Sequence, residues 1–204
     1  MNYQIISAFA TPIGITKVSQ ELCEPLKQFK GTEQIINERE KEERDYYVLD
    51  KLPDLKKQLT KVFSDYINLK ILHTPNQEYT ITTSWITENR SGAPMERHCH
   101  VNSYYSSVLY YDKVVKEHPP LILEPPNHQP RGFFVPPNVV NAYNYADLSF
   151  PIDEGLLLFF PSHIYHYHDS FISKVPRKSL ACNYIPINKF GKYDSTLDTR
   201  MIHG

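Results

Sequence analysis

From Tyr79 onward the chain is cut into short apolar runs by proline, glycine and asparagine, a pattern that suits strands joined by turns and not a helical bundle. YTITTSWITEN (79–89) alternates and is rich in β-branched residues. After the turn signal NRSGAP come MERHCHVN, YSSVLYYD, LILEP, GLLLFFPS, IYHYHDSF and KSLACNYIP. The chain holds 16 Pro and 15 Tyr but only 7 Gly, and the prolines and tyrosines concentrate after residue 75. Many short strands with such punctuation predict a sandwich or barrel. The stretch from Lys113 to Asp153 (HPP, EPPNHQP, VPPN) is expected to hold a strand or two and an irregular loop. Loops of that length beside a site often act as lids.

The front of the chain reads differently. In residues 52–70, Leu52, Leu55, Leu59, Val62, Phe63, Tyr66 and Ile67 form one apolar stripe at helical spacing. Pro53 fits the first turn, where its missing N–H costs nothing. A weaker helix is expected from Ser19, as N-cap, towards Lys30, with Pro25 counting against it. The charge run INEREKEERD between them reads as a solvated turn or exposed helix. With 204 residues, one domain is expected over 1–204, with a helical N-terminal part (1–75) and a β-rich part (76–204).

Composition removes several classes of function. A formal net charge of −1 gives no electrostatic footprint for nucleic acid or an anionic membrane. No apolar run approaches the roughly 20 residues of a membrane helix, and the first residues lack the pattern of a secretory signal. Cys23, Cys99 and Cys182 are few, odd in number and far apart, so a disulfide framework is not expected. The compartment reads as cytoplasmic and reducing.

The chemistry concentrates in the histidines. His98 and His100 are two apart, and residues i and i+2 of a strand share a face. Two imidazoles on one face and a third from a distant strand occupy one side of a divalent metal and leave positions open. Taken alone, H-x-H is more often a polar pair on an exposed strand. The second cluster follows GLLLFFPS, whose four apolar residues Leu157, Leu158, Phe159 and Phe160 indicate a strand buried on both sides. His163, His166 and His168 follow it and are therefore near the core, where an unpaired imidazole is disfavoured; His163 reads as structural. His166 and His168 share strand parity, so either could be the distal ligand. Arg177 and Ser179 share a face of the last long run, and a buried guanidinium beside a hydroxyl is a receptor for a carboxylate. Trp85, the only tryptophan, reads as core.

The order H-x-H, distal His, then Arg-x-Ser eleven positions on resembles the 2-oxoglutarate/iron(II) oxygenase superfamily. More narrowly it is similar to the small "putative 2OG-Fe(II) oxygenase" family of bacteria and phages, through FATPIG (9–14), HCHVNSYYSSVLYY, and FPSHIYH with RKSLACN. The resemblance implies a mainly β protein with flanking helices (α+β), a double-stranded β-helix of the jelly-roll or cupin kind with N-terminal helices packed on one sheet. It implies Fe(II) as metal, 2-oxoglutarate and O2 as co-substrates, and a dioxygenase that releases succinate and CO2. The phrase F-P-S-x-x-x-H and the interval to Arg177 select His166 over His168, which is left as a substrate-facing or supporting residue. By the same resemblance Arg177 and Ser179 hold the distal carboxylate of 2-oxoglutarate, assisted by Tyr110, which shares a strand face with Ser106 and Val108. Tyr105 and Tyr111 are the alternatives. Asn183, inward with Arg177 and Ser179, is expected to hydrogen-bond near the site.

The chain departs from the superfamily where that superfamily places a carboxylate ligand: position 100 is histidine, and Asp112 is too far along the next strand. Three metal sites fit: His98, His100 and His166 together; His98 and His166 with water; or completion by another group. The three-histidine site is preferred, because position 100 is on the correct side of the strand. It would leave iron(II) more positive and favour the anionic co-substrate. Rival readings are a cupin-like metal enzyme without 2-oxoglutarate, a zinc hydrolase, and a non-catalytic jelly-roll module. The primary substrate is not readable; the exposed tyrosines hint at a homodimer and nothing more.

Overall fold

The computed structural model describes residues 4, 10–30, 34–35, 45–73, 77–126, 138–139, 144 and 147–201. Most of the charge run, Arg131 and much of the proline-rich stretch lie outside the described residues. The elements, in chain order, are β1 (Gly14–Lys17), α1 (Gln20–Gln28), β2 (Gln34–Ile35), α2 (Pro53–Asp65) continuing as a π-helix (Tyr66–Leu72), β3 (Glu78–Asn89), β4 (Met95–His98), β5 (Tyr105–Leu109), β6 (Leu121–Leu123), β7 (Leu148–Phe150), β8 (Leu156–Pro161), β9 (His166–His168), β10 (Arg177–Ile187), β11 (Lys189–Phe190) and β12 (Leu197–Asp198). Both expected helices form. Ser19 caps α1, its hydroxyl accepting from the Leu22 amide, and Pro53 opens α2.

A major sheet has the order β1-β8-β5-β10-β3-β2 and a minor sheet β4-β9-β6-β7. The antiparallel partners are β3 with β10, β4 with β9, β5 with β8 and β6 with β7. These pairs are nested: the chain runs out through β3 to β6 and returns through β7 to β10, as one long two-stranded ribbon. The pairs alternate between sheets until the ribbon's tip, so the ribbon winds into a double-stranded β-helix. The 1–75 part contributes more than helices, because β1 and β2 form the two edges of the major sheet.

Strand alternation divides the apolar residues between two cores. On the outer face Leu109, Tyr111, Leu157, Phe159, Leu180, Cys182 and Tyr184 pack against the helical stripe of Leu55, Leu59, Phe63 and Ile67. Phe63 is at the centre, stacked on Tyr184 at 4.0 Å and in contact with Tyr79, Tyr105 and Phe159. On the inner face Val108, Tyr110, Leu158 and Phe160 meet Leu121 and Leu123 of the minor sheet. Leu157 to Phe160 are thus buried on both sides, as their unbroken run predicts. Gly14 of β1 lies under the Tyr66 ring, where a Cβ would come within 2.7 Å of ring carbons. No helix among the described residues is long and apolar enough to cross a membrane.

Candidate metal centre and anion pocket

His98 and His166 are direct partners across the β4–β9 ladder. Opposite residues of an antiparallel pair project to the same side, and the two ring centroids are 4.3 Å apart. The ladder is irregular between Met95, opposite His168, and His98, opposite His166. Three steps on β4 match two on β9, a bulge that brings His98 and not Arg97 into register with His166.

His100 reaches the same place by another route. β4 ends at His98, so the shared strand face expected for His98 and His100 does not apply. The chain instead turns over the end of β8: the His100 amide donates to the Ser162 carbonyl at 2.9 Å, and Asn102 adopts a left-handed φ of 56°. The His100 ring lies 5.4 Å from His98 and 5.1 Å from His166. One ligand atom from each of the three falls within 4.8 Å of the others. Bound to one ion at about 2.1 Å, the three nitrogens would draw closer together than this. Asp112 is turned away, paired with Lys178 at 3.4 Å.

Hydrogen bonds fix which nitrogen of each ring is free. His98 Nδ1 faces the Glu96 carbonyl at 2.7 Å, and His166 Nδ1 the Ile164 carbonyl at 3.1 Å. A carbonyl only accepts, so each Nδ1 carries the proton and each Nε2 keeps its lone pair. His100 Nδ1 faces Asn183 Oδ1 at 2.6 Å, with the same consequence. Burial first, then the neighbouring His98 and His100, push His166 down to about 3; burial likewise lowers His100. With each Nδ1 turned to a carbonyl oxygen, Nε2 is the nitrogen each ring can offer a divalent cation.

The second part of the site is an anion pocket. Arg177 is 2% exposed, and its Nη2 donates to the Tyr110 hydroxyl at 2.8 Å. Its Nε is buried with no partner, and no described carboxylate pairs with it. Burial pushes the guanidinium down and the phenol up, each partly offset by the other. Ser179, buried, lies two residues on along the same inward face. His168 is buried beside this group: its Nδ1 donates to the Asp169 carbonyl at 2.8 Å and its Nε2 has no partner. Burial, then Arg177, pushes it down to about 3.

Among the expected site residues, His98, His100 and His166 therefore come together, and Arg177 meets Tyr110, with Ser179 on the same face. Asn183 is behind the metal cluster and away from Arg177; its amide serves His100, Ser106 and Thr83. Two expectations fail. His163 is exposed in the turn after β8, where the chain turns outward for one residue between the buried Ser162 and Ile164. Trp85 is half-buried on the inner face, opposite the small Ala181, with its ring 5.3 Å from His100 and 6.0 Å from Tyr46. Its parity with Thr83 and Thr87 was the signal for that face. Arg97 and Tyr165 were not foreseen at all: the guanidinium lies 3.7 Å over the Tyr165 ring and pairs with Glu124 through two 2.6 Å bonds.

Residues 83–183 match the model of the family described as "Putative 2OG-Fe(II) oxygenase". No curated protein sequence matches the chain. Solved structures with matching folds include the non-heme alpha-ketoglutarate-dependent carbocyclase SnoK from nogalamycin biosynthesis, at 13% identity and a TM-score of 0.57 over 87% of this chain and 81% of that one. They also include iron-bound HygX from Streptomyces hygroscopicus, at 11% identity and 0.52 over 86% and 83%. An oxidoreductase of the 2OG-Fe(II) oxygenase family from Burkholderia pseudomallei matches at 15% identity and 0.48 over 67% of this chain, which spans only 55% of that protein. The matched segment runs from the wall behind His100 to Asn183 and holds every member of the metal cluster and the anion pocket. Residues 83–183 thus match the 2OG-Fe(II) oxygenase family, enzymes that use Fe(II) and 2-oxoglutarate, and the chain shares the double-stranded β-helix of the matching structures.

Proposed function

We propose that the protein is an iron(II)- and 2-oxoglutarate-dependent dioxygenase that hydroxylates its primary substrate. His98, His100 and His166 would hold the iron. Arg177, with the Tyr110 and Ser179 hydroxyls, would hold the distal carboxylate of 2-oxoglutarate. The bound iron and co-substrate supply the oxidising power, O2 being consumed as 2-oxoglutarate is split to succinate and CO2. The chain's own residues orient the three imidazoles, neutralise the co-substrate's charge and exclude water between the two sheets.

The carrying observation is Arg177: a buried guanidinium with an unpartnered Nε and only a neutral phenol beside it. A buried cation is costly without an anion, and a dicarboxylate anchored on the adjacent metal provides one. The three free thiols and the need for reduced iron favour a reducing, cytoplasmic setting.

His100 in place of a carboxylate favours a second reading, a three-histidine metal enzyme that does not use 2-oxoglutarate. The test is succinate formation. Protein loaded anaerobically with Fe(II), given 2-oxoglutarate and then O2, is expected to release succinate even without a primary substrate, at a slow uncoupled rate. Tight metal binding with neither 2-oxoglutarate affinity nor succinate would select the second reading.

A further inference from the structure

His98 and His166 are held by their strands: each is in the ladder, and each Nδ1 donates to a main-chain carbonyl two residues back. His100 has neither support. It lies beyond the end of β4, in a turn whose next residue, Val101, is 77% exposed. Its ring must be fixed by side chains, and these form a directed network. Nδ1 meets Asn183 Oδ1 at 2.6 Å and Ser106 Oγ at 2.9 Å. Ser106 bonds Ser162, and Ser162 bonds Ser103, both at 2.9 Å; Ser103 donates to the Tyr105 carbonyl at 2.9 Å. Asn183 is oriented in turn by Thr83, to which its Nδ2 donates at 3.0 Å.

The direction of this network follows from its end. The Tyr105 carbonyl can only accept, so Ser103 donates to it and accepts from Ser162, and the single Ser106 proton turns to Ser162 or to Asn183 Oδ1, each at 2.9 Å. Were Nδ1 bare, its lone pair would face the Asn183 carbonyl oxygen at 2.6 Å, a repulsive contact. Only the tautomer with Nδ1–H and a free Nε2 is compatible with the surroundings.

We infer that Asn183 and Ser106 are positioning residues for the metal, which fix the ring orientation and tautomer of His100 so that a neutral imidazole serves as third ligand. This rests on the reading of His100 as a ligand. The amide is a neutral acceptor, so it orients the ring without adding negative charge; an aspartate at 183 would orient the ring equally but make the centre less positive.

The test is titration with cobalt(II), read by visible absorption and by calorimetry, followed by titration of the metal-loaded protein with 2-oxoglutarate. Loss of such a supporting partner costs roughly 10–100-fold in metal affinity. Asn183→Leu is expected to fall in that range. Asn183→Asp should restore cobalt(II) affinity while weakening 2-oxoglutarate binding. Ser106→Ala, which also keeps the test open should Asn183→Leu not fold, should lose cobalt(II) affinity in the same direction. Wild-type cobalt(II) affinity in both Asn183→Leu and Ser106→Ala, or Asn183→Asp as impaired as Asn183→Leu, overturns the inference. His100→Ala separates the two levels. If it loses affinity while the Asn183 and Ser106 variants do not, only the positioning role fails. If His100→Ala binds cobalt(II) like wild type, the ligand assignment fails and the positioning role with it.

Discussion

The phenol of Tyr110 and the guanidinium of Arg177 meet at 2.8 Å across neighbouring strands of the major sheet, the one neutral and the other charged, both buried. Truncating Arg177 to alanine would leave a co-substrate carboxylate unpaired in a buried pocket, a cost on the order of 2–5 kcal/mol. Arg177→Ala is expected to lose 2-oxoglutarate affinity while keeping metal affinity, as calorimetry of each step would show. Tyr110→Phe removes a single bond to a charged group and should cost about 1.5–3 kcal/mol. Unchanged 2-oxoglutarate binding in Arg177→Ala would remove the reason for placing a dicarboxylate here.

Trp85 gives a direct report on the metal centre. It is the only tryptophan, and its ring is 5.3 Å from His100. A paramagnetic ion bound by the three histidines should quench its fluorescence, saturating at one equivalent of cobalt(II). His100→Ala should weaken the ion's affinity. A titration that leaves the emission untouched would place the ion elsewhere.

Acid should destabilise the metal-free protein earlier than its carboxylates would suggest. His166 and His168 are both pushed down to about 3, and His100 is lowered too, burial being the first cause in each. In the unfolded chain these groups titrate near 6.5. Between those values the unfolded state binds more protons, so stability present above about pH 6.5 is lost as pH falls. Asp45 and Asp153, lowered by their lysine partners, act in the same direction but only below about pH 4. Urea unfolding of apo protein between pH 6.5 and 5 isolates the histidines. A flat profile there would mean that these imidazoles are not buried in neutral form.

Phe63 tests the join between the helices and the major sheet. It is fully buried among Tyr79, Tyr105, Phe159 and Tyr184. Phe63→Ala should cost roughly 3–5 kcal/mol, measured by chemical denaturation. Because the ring is on the outer face of the sheet, cobalt(II) affinity of the folded fraction should change little.

The two cores and the anion pocket were legible because they follow simple periods. The helical stripe around Phe63 and the alternation that sets Tyr110 with Ser106 and Arg177 with Ser179 depend only on local geometry. His100 shows the limit. Its place beside His98 was expected from strand parity, yet it arises from a bulge and a turn, neither of which a period of two contains. Trp85 was misread for a related reason: a large apolar ring suggests the core, but its strand face and the small Ala181 opposite leave it beside the metal ligands. Arg97 and Tyr165 come from different strand ends, and no local pattern joins them.

The bulge in β4 makes the metal centre depend on counting. Removing one residue between Met95 and His98 would match two steps on β4 to two on β9 and keep His98 opposite His166, whereas flattening the bulge at full length would aim the Arg97 guanidinium there. Substitutions in this short strand should be tolerated at its exposed positions, Glu96 among them, whereas a residue inserted between Met95 and His98 should carry His98 out of register with His166 and weaken metal binding. Variation in this segment is therefore constrained by frame as much as by residue type.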